Sequence, residues 1–311
     1  MPSVHRWGGL ALALSLLAPA GCWTPDTPPV LAHRMPAAAL AWMAPDSVRG
    51  AWLGPGVWYR HYWTDRGPWA IYLVEADLSR CDLALRTLRA RPREEGGVGR
   101  ERVSSMVARA GPGVLAAVNA DFFTPEGRAV GTEVARGEVT ARSRSRPVLA
   151  WRPASEPWIG VPSFAGDTLL VGWPVPRRTV GGATEAVSGF PELLARGERV
   201  GDLNVGERPG FAASRHPRTA VAYDADSRRL WLVVVDGRQA PYSVGMTLPE
   251  ITGLLEALGA EEAVNLDGGG SSTLVVKGRI VNRPSDAEGE RPVVNALALS
   301  REVARCGGGK R

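Results

Sequence analysis

The chain has 311 residues, 44% of them hydrophobic, which is enough for one large globular domain or two small ones. Its net charge is +5, but the basic residues are nearly all arginines and are interleaved with acidic residues. A nucleic-acid-binding protein clusters its basic residues, so this pattern argues against a nucleic-acid partner, and the one basic run (Arg142, Arg144 and Arg146) is interpreted as a solvated loop.

Residues 1–22 have the pattern of an export signal. His5 and Arg6 give a positive start, and Gly8–Leu17 is an apolar core too short for a stable membrane anchor. The segment ends at Cys22 and resembles a bacterial lipoprotein signal, although Pro19 stands where leucine is usual. We therefore expect an exported protein, either held at the membrane through a lipid on Cys22 or cleaved and released as a secreted or periplasmic protein.

The remaining sequence suggests a tether, one domain and a tail. Residues 23–56 are rich in Pro and Ala and predict a tether with a helical turn around Ala37–Met43. The domain is predicted at residues 57–303, followed by a loose tail at 304–311. Cys81 and Cys306 could pair in an oxidising compartment, or both could remain thiols. Neither the cysteines nor the histidines have metal-site spacing.

Hydrophobic periodicity predicts many short strands and few helices. Helical spacing occurs at Glu101–Ala110 and again up to Leu258, where Thr247 and Glu250 form a capping box. The predicted strands are Val57–Thr64, Trp69–Ala76, Leu83–Leu88, Val114–Val118, Gly131–Val139, Leu230–Val235 and Pro292–Leu299.

Several predicted strands end in polar side chains. Val114–Val118 stops at Asn119 and Asp121, which two phenylalanines follow, and Leu230–Val235 stops at Asp236 and Arg238. Each could be a simple surface turn. Repeated charges at the ends of buried strands instead suggest that these residues converge on one cleft, together with Arg218 at the start of another apolar strand.

The stretch from Asn265 to Thr273 concentrates polar residues and glycines between two apolar runs. Between two apolar runs it holds Asn265, Asp267, the glycines at 268–270, and the hydroxyl residues Ser271, Ser272 and Thr273. A tight hairpin would explain an Asp-Gly pair alone. The triple glycine and the hydroxyls favour a site, because such a turn can direct several N–H groups at an anion.

These motifs resemble those of the phosphodiester glycosidase family. The resemblance runs from about Val57 to Ser300. It rests on segments in the same order and spacing: Asn119–Phe123, Arg218–Val221, Asp236–Arg238, Gly245–Leu248, Asn265–Thr273 and Glu290–Pro292. It implies an α+β fold with mixed or antiparallel sheets and a few packing helices, and an enzyme that removes a sugar from a glycosyl-1-phosphodiester.

The chemistry of that reaction suggests roles for the site residues. Asp121 and Asp267 are predicted to stand near the anomeric carbon as nucleophile, base or supporting carboxylate, and Asp236 is grouped with them. Phosphate would be held by Arg218, Arg238 and the backbone of Gly268, Gly269 and Gly270. Asn119 and Asn265 would bind sugar hydroxyls or orient the carboxylates, and Ser271 and Ser272 would donate hydrogen bonds. Glu133 is a candidate because the family has a comparable strand there.

Other functions remain open. Asp121, Asp236 and Asp267 could hold Mg²⁺ or Ca²⁺ in a metal-assisted phosphodiesterase. The glycosidase hypothesis requires no cofactor. The protein could instead be a non-catalytic, glycan-binding or assembly lipoprotein of the cell envelope. A serine hydrolase built on Ser271 and His216 is a weaker possibility, because the closing glycine of a nucleophile elbow is missing. The expected partner is a carbohydrate-phosphate substrate or an envelope glycopolymer.

Overall fold

The computed structural model describes residues 35–92, 99–152, 156–166, 168–170, 182–201, 203 and 209–302. The helices in this part of the chain are α1 (Ala37–Met43), α2 (Val103–Ala110), α3 (Pro209–Ala213) and α4 (Leu248–Leu258). The strands are β1 (Ser47–Gly54), β2 (Val57–Thr64), β3 (Trp69–Asp77), β4 (Leu83–Arg89), β5 (Val114–Asn119), β6 (Glu133–Ala135), β7 (Glu138–Ala141), β8 (Val148–Trp151), β9 (Trp158–Gly160), β10 (Ser163–Ala165), β11 (Thr168–Leu170), β12 (Glu185–Ser188), β13 (Glu192–Ala195), β14 (Glu198–Arg199), β15 (Arg218–Asp224), β16 (Arg229–Val235), β17 (Glu262–Asn265), β18 (Leu274–Val276), β19 (Arg279–Ile280) and β20 (Asn295–Arg301).

The strands form three larger sheets and a hairpin. The large sheet has the order β1-β2-β3-β16-β15-β17-β13-β14, the second sheet β19-β18-β5-β20-β4, and the third sheet β7-β6-β12-β8-β9, while β10 pairs with β11. Neighbouring strands among the described residues run antiparallel. This is the predicted α+β class, in its antiparallel form.

The large sheet lies between a helical layer and the second sheet. Strands β3 and β16 are apolar on both faces, as a strand covered on both sides must be. On one face their side chains pack with the apolar stripe of α4, including Ile251 and Leu255. On the other face they pack against Val118 and Leu297 of the second sheet. Helix α2 covers the far side of the second sheet through residues such as Met106.

Helix α4 begins and ends where the sequence predicts. The Thr247 hydroxyl accepts a hydrogen bond from the Glu250 N–H at 3.2 Å, and the Glu250 carboxylate accepts one from the Thr247 N–H at 2.8 Å. Gly259 follows in the left-handed conformation with φ of 85°. The helix therefore delivers the chain to β17 in a fixed position.

The predicted tether is wrong for its second half. The helical turn expected at Ala37–Met43 is present as α1, but β1 follows it and pairs with β2, so the folded domain starts before Val57. Most side chains of β1 are exposed. An edge strand is held mainly by backbone hydrogen bonds and needs no apolar periodicity, which is why the sequence pattern did not reveal it. The predictions for residues 1–22, for residues 23–34 and for the tail at 304–311 lie outside the described residues.

One of the connections between the large sheet and the second sheet lies at the predicted site. β17 ends at Asn265, a 3₁₀ turn spans Gly269–Ser271, and β18 begins at Leu274. Residues 266–273 are called the crossing loop below. The end of β5, at Asn119, lies against it.

Two further observations concern the predicted export. Cys81 is disulfide-bonded. The other cysteines of the sequence, Cys22 and Cys306, lie outside the described residues, so the pairing of Cys81 with Cys306 stays a prediction. Among the helices of the described ranges, none is both long and apolar enough to cross a membrane.

Candidate active site

The crossing loop is fixed by hydrogen bonds to the end of β5. The Asp267 N–H donates to the Ala120 carbonyl at 2.8 Å, and the Asn119 side-chain amide donates to the Asp267 carbonyl at 2.6 Å. The Asn119 side-chain oxygen in turn accepts from the Thr219 hydroxyl at 2.9 Å and from the Thr273 N–H at 3.1 Å. The end of β5 therefore holds the backbone at Asp267, and Thr219 of the large sheet in turn holds Asn119.

Each of the three glycines has a steric reason. A Cβ on Gly268 would lie 2.8 Å from the Pro217 carbonyl oxygen, and Gly269 has φ of 61°. A Cβ on Gly270 would lie 1.9 Å from Asp286 Oδ1 and 2.2 Å from Arg291 Nη2. Other parts of the site pass so close that no side chain fits between them.

The predicted anion-binding nest is only partly available. The Gly268 N–H donates to the carboxylate of Asp267 at 3.0 Å, and the Gly269 N–H donates to the Pro217 carbonyl at 2.9 Å. Both groups are used within the protein. We therefore assign anion binding to side chains near the loop rather than to these two backbone groups.

Asp267 is a partly exposed carboxylate with a shifted pKa. Burial raises the pKa of Asp267 from 3.8 to about 6, against the lowering effect of the Ser271 hydroxyl, the Gly268 N–H and the guanidinium groups of Arg291 and Arg146. Such a group changes its protonation near neutral pH, as acid–base catalysts and nucleophiles do. The Ser271 hydroxyl is thus a partner of Asp267, and the predicted pairing of Ser271 with His216 is not what this loop shows.

Three arginines lie around the crossing loop. Arg238 is exposed, its guanidinium lies against Gly269, and its Nη2 is 3.3 Å from His216 Nδ1. Arg291 is held by Asp286 at 2.7 and 3.0 Å, and its Nη1 lies 3.4 Å from the Ser271 hydroxyl. Arg146 lies over the rings of Phe122 and Phe190, at 5.3 and 5.1 Å from their centroids.

Arg218 does not have the geometry expected of a phosphate ligand. It is 1% exposed, and its Nε donates to the Met246 carbonyl at 2.8 Å. Its Nη2 donates to the carbonyls of Phe211 and Ser214 at 2.8 and 2.9 Å. Burial and the nearby Arg238 lower the pKa of Arg218 to about 10. Because its donors bind the backbone around α3, Arg218 shapes the wall of the site and adds positive potential to it.

Asn265 and Ser272 also act through the protein. The Asn265 side-chain amide donates to the Phe190 carbonyl at 2.7 Å, so Asn265 fixes Phe190 rather than facing a sugar. The buried Ser272 hydroxyl accepts from the Thr219 hydroxyl at 3.2 Å. Together with Asn119, these residues contact other parts of the site, and of the two roles predicted for Asn119 and Asn265 these contacts agree with positioning the carboxylate rather than with binding sugar hydroxyls.

Asp121 is a buried brace rather than an open catalytic group. Its carboxylate accepts hydrogen bonds from the Ser188 N–H at 2.8 Å and the Ser188 hydroxyl at 2.7 Å, and the residue is 1% exposed. Burial and the neighbouring Glu133 raise the pKa of Asp121 well above its usual range. Glu133 pairs with Arg89 at 2.6 Å and lines a separate cavity of about 310 Å³. The Asp121 carboxylate is thus hydrogen-bonded to Ser188, and the charge that raises its pKa is that of Glu133.

Asp236 is fully buried beneath the crossing loop. Its carboxylate accepts from the Asn282 amide at 2.9 Å and from the Arg283 N–H at 2.9 Å, and burial raises the pKa of Asp236 to about 6. Asn282 also donates to the Ser272 carbonyl at 3.0 Å. Asp236 therefore supports the loop from below.

The three aspartates do not assemble into the metal site considered from the sequence. Asp121, Asp236 and Asp267 each have their own hydrogen-bond partners. No group of three or more histidine, cysteine or acidic residues is arranged to hold an ion in the described ranges.

Sequence reasoning missed Arg146 and Arg291 as site residues. Arg291 had a signal, because it belongs to the Glu290–Pro292 segment on which the family resemblance rests. Arg146 had none, because its aromatic partners Phe122 and Phe190 are distant in sequence and its neighbours suggest a solvated loop.

Comparison with known proteins agrees with this fold. The family model of phosphodiester glycosidases matches residues 112–300, more than half of the chain and including the whole crossing loop. The chain belongs to the phosphodiester glycosidase family, and at that level it is related to glycosidases of the hydrolase class.

Individual relatives are more distant. A 99-residue stretch is 40% identical to the SPbeta prophage-derived uncharacterized protein YomE of Bacillus subtilis, covering 32% of this chain and 14% of that protein. The fold resembles a hypothetical protein from Synechocystis, with a TM-score of 0.65, 16% identity, and coverage of 82% of this chain and 64% of the other. It also resembles the catalytic domain of zebrafish N-acetylglucosamine-1-phosphodiester alpha-N-acetylglucosaminidase, auto-inhibited by its pro-peptide. That match has a TM-score of 0.61, 21% identity, and coverage of 82% and 88%. At these identities the solved structures show a shared fold.

Proposed function

We propose that this protein hydrolyses glycosyl-1-phosphodiesters, with Asp267 acting at the anomeric carbon. The observation that carries the proposal is a partly exposed carboxylate of raised pKa, held on a rigid loop and surrounded by Arg146, Arg238 and Arg291. A phosphodiester bears a negative charge, which arginine side chains can bind through paired hydrogen bonds. The sugar develops positive charge as its bond breaks, and a carboxylate stabilises that charge.

The reaction requires little assistance to the leaving group. Hydrolysis breaks the bond between the anomeric carbon and the phosphate oxygen, the phosphate departs as a monoester with the bonding electrons, and water supplies the new sugar hydroxyl. Because a phosphate monoester is a stable anion, the arginines can stabilise its departure without a strong general acid. Asp267 would act in its ionised form, either as nucleophile or as the base that activates water.

The proposed substrate has two parts, the sugar and the molecule to which its phosphate is attached. The zebrafish relative acts on an N-acetylglucosamine-1-phosphodiester by its name, and this sugar is our first candidate. The export-like leader suggests an envelope glycopolymer as the natural substrate, with a lipid on Cys22 as a membrane anchor. No cofactor is part of this proposal.

The test is Asp267→Asn, assayed on the methyl phosphodiester of N-acetylglucosamine 1-phosphate. We expect at least a 1000-fold loss of turnover, because an amide cannot act as base or nucleophile. Asp226→Asn, at an exposed turn, is the matched control and should keep wild-type activity. In the wild type, activity should fall as the pH drops below about 6, since protonation removes the ionised form of Asp267. Wild-type rates in a folded Asp267→Asn variant would remove Asp267 from the mechanism.

Water labelled with ¹⁸O separates the proposed reaction from the alternatives. Label in the sugar hydroxyl supports the glycosidase, whereas label in the phosphate would show phosphodiesterase chemistry. Binding of the diester without any turnover would instead support a non-catalytic glycan-binding protein.

A further inference from the structure

We propose that Arg146 is the specificity-determining residue that recognises the phosphate group of the substrate beside Asp267. This inference rests on the proposed function, and it assigns to an overlooked loop arginine the part that the sequence suggested for Arg218.

The first observation is the position of Arg146 among the three arginines of its loop. Arg142 lies over Phe164, at 5.4 Å from the ring centroid, and donates to the Gly166 carbonyl at 3.2 Å. Arg144 is exposed. Arg146 instead lies over Phe122 and Phe190, and the Phe190 backbone is hydrogen-bonded to Asn265, two residues before Asp267. One arginine of the loop therefore belongs to the site.

The second observation is that both rings under Arg146 are anchored to the strands that hold Asp267. Phe122 directly follows the brace at Asp121, and Phe190 is held by Asn265, whose side chain and carbonyl both bind the Phe190 backbone at 2.7 Å. The loop itself is tied down next to Arg146, where the Pro147 carbonyl accepts from the Gly189 N–H at 3.0 Å. Arg146 is thus positioned on a rigid aromatic surface.

The chemistry of a guanidinium on aromatic rings suits a phosphate ligand. The ring faces attract the cation and exclude water from one side, which strengthens its interaction with an anion. The planar guanidinium can present two parallel N–H groups to two phosphate oxygens. Because Phe190, which lies under Arg146, is bound to Asn265 just before the crossing loop, we expect an anion held by Arg146 to lie on the same side of the site as the Asp267 carboxylate.

The other cations of the site differ from Arg146 in their surroundings. Arg218 donates to three backbone carbonyls, and Arg291 forms a bidentate pair with Asp286. Arg238 lies at the exposed side of Gly269 beside His216. These groups add to the positive potential, while Arg146 combines a positive charge with aromatic support.

The test compares Arg146→Gln with Arg144→Gln, which removes the same charge from an exposed position in the same loop. Binding is measured by calorimetry in the Asp267→Asn background, with the methyl phosphodiester of N-acetylglucosamine 1-phosphate and with the neutral methyl glycoside of N-acetylglucosamine as probes. We expect Arg146→Gln to weaken binding of the diester about tenfold to a hundredfold, as the loss of a charged hydrogen-bond pair does, and to leave the neutral glycoside unchanged. Arg144→Gln should bind the diester as its parent does.

A conservative variant controls for folding. Arg146→Lys keeps the charge but loses the planar fork, so it should recover part of the affinity for the diester. Equal affinities for the diester in Arg146→Gln and Arg144→Gln would overturn the inference, as would failure of the parent to bind the diester at all. If the wild type bound the diester through Arg146 but never hydrolysed it, the proposed function would fail and this inference would stand. If Arg146→Gln hydrolysed the diester at the wild-type rate, the proposed function would stand and this inference would fail.

Discussion

At the scale of single residues, the site separates two kinds of carboxylate. Asp267 is partly exposed and lies among arginines, whereas Asp121 is closed off by Ser188 and Glu133. Both have a raised pKa because both are buried from water to some degree. Exposure, rather than the pKa, distinguishes the group that can meet a substrate from the group that holds the scaffold.

The bracing role of Asp121 can be tested through its partner. Ser188→Ala removes a buried hydroxyl that donates to Asp121 at 2.7 Å, and we expect a loss of about 1–3 kcal/mol in the free energy of unfolding. Ser79→Ala removes a similar hydrogen bond to Asp77, but at an exposed turn, and should cost about 0.5 kcal/mol or less. Urea titrations measure both. Equal stabilities for the two variants would contradict the assignment of Asp121 as a brace.

At the scale of elements, the crossing loop derives its rigidity from the strands at each of its ends. β17 belongs to the large sheet and β18 to the second, and the end of β5 is hydrogen-bonded to the loop between them. The carboxylate proposed to be catalytic, that of Asp267, is therefore attached to ordered structure, although the loop itself has little regular structure. Preorganisation of this kind is what a charge-stabilising site requires.

Gly270→Ala tests how closely the loop is matched to its surroundings. Its new Cβ would overlap Asp286 Oδ1 and Arg291 Nη2, so the ion pair must move away from the loop. We expect kcat/KM to fall at least tenfold, because Arg291 acts on both Ser271 and Asp267.

Gly278→Ala is the control for Gly270→Ala, because it replaces a glycine that has no close neighbours. Gly278 has φ of 76° and open space around it, so the substitution introduces backbone strain of about 1 kcal/mol and should leave kcat/KM unchanged. Calorimetric melting beside the kinetic assay separates the two effects. Unchanged kinetics in Gly270→Ala would show that the position of Arg291 does not matter to the reaction.

At the scale of the whole molecule, several carboxyl groups with raised pKa make the folded state more stable at mildly acidic pH than at neutral pH. Burial raises the pKa of Glu262 from 4.5 to about 7, and neighbouring Glu261 and Glu192 act in the same direction. A carboxyl whose pKa is higher in the folded state binds more protons there, so its contribution to stability is full below its unfolded pKa and is lost as pH rises towards the folded value. Asp236 acts in the same direction, with its pKa raised to about 6.

We therefore expect the melting temperature to fall between pH 5 and pH 8. Glu262→Gln should reduce this slope, because an amide does not titrate while its oxygen can still accept from the Ile159 N–H, which lies 3.0 Å from the Glu262 carboxylate. Glu198→Gln, at an exposed position in β14, should leave the slope as it is in the wild type. Melting curves across this range provide the measurement, and identical slopes for the wild type and Glu262→Gln would contradict the account.

How much of this the sequence could predict depends on how local the information is. The α+β class, helix α4 and the tight glycine-rich turn after Asp267 were predictable, because caps, periodicity and glycine runs are local patterns in the sequence. The burial of Asp121 was not, because Ser188 and Glu133 come from strands of the third sheet that no local pattern places there. Arg146 and β1 were missed for the same reason, since one depends on distant rings and the other on backbone pairing.

The order of the strands also has a consequence for how the protein is made. β3 pairs with β16, and β4 pairs with β20, so early segments complete their sheets only with partners from the far half of the described chain. Until translation has delivered those partners, one edge of β3 stays unpaired and its apolar side chains stay uncovered. Such long-range pairing folds slowly and is prone to association with other unfinished chains. We therefore expect the large sheet to be completed only after β17 has been synthesised, and the second sheet only after β20.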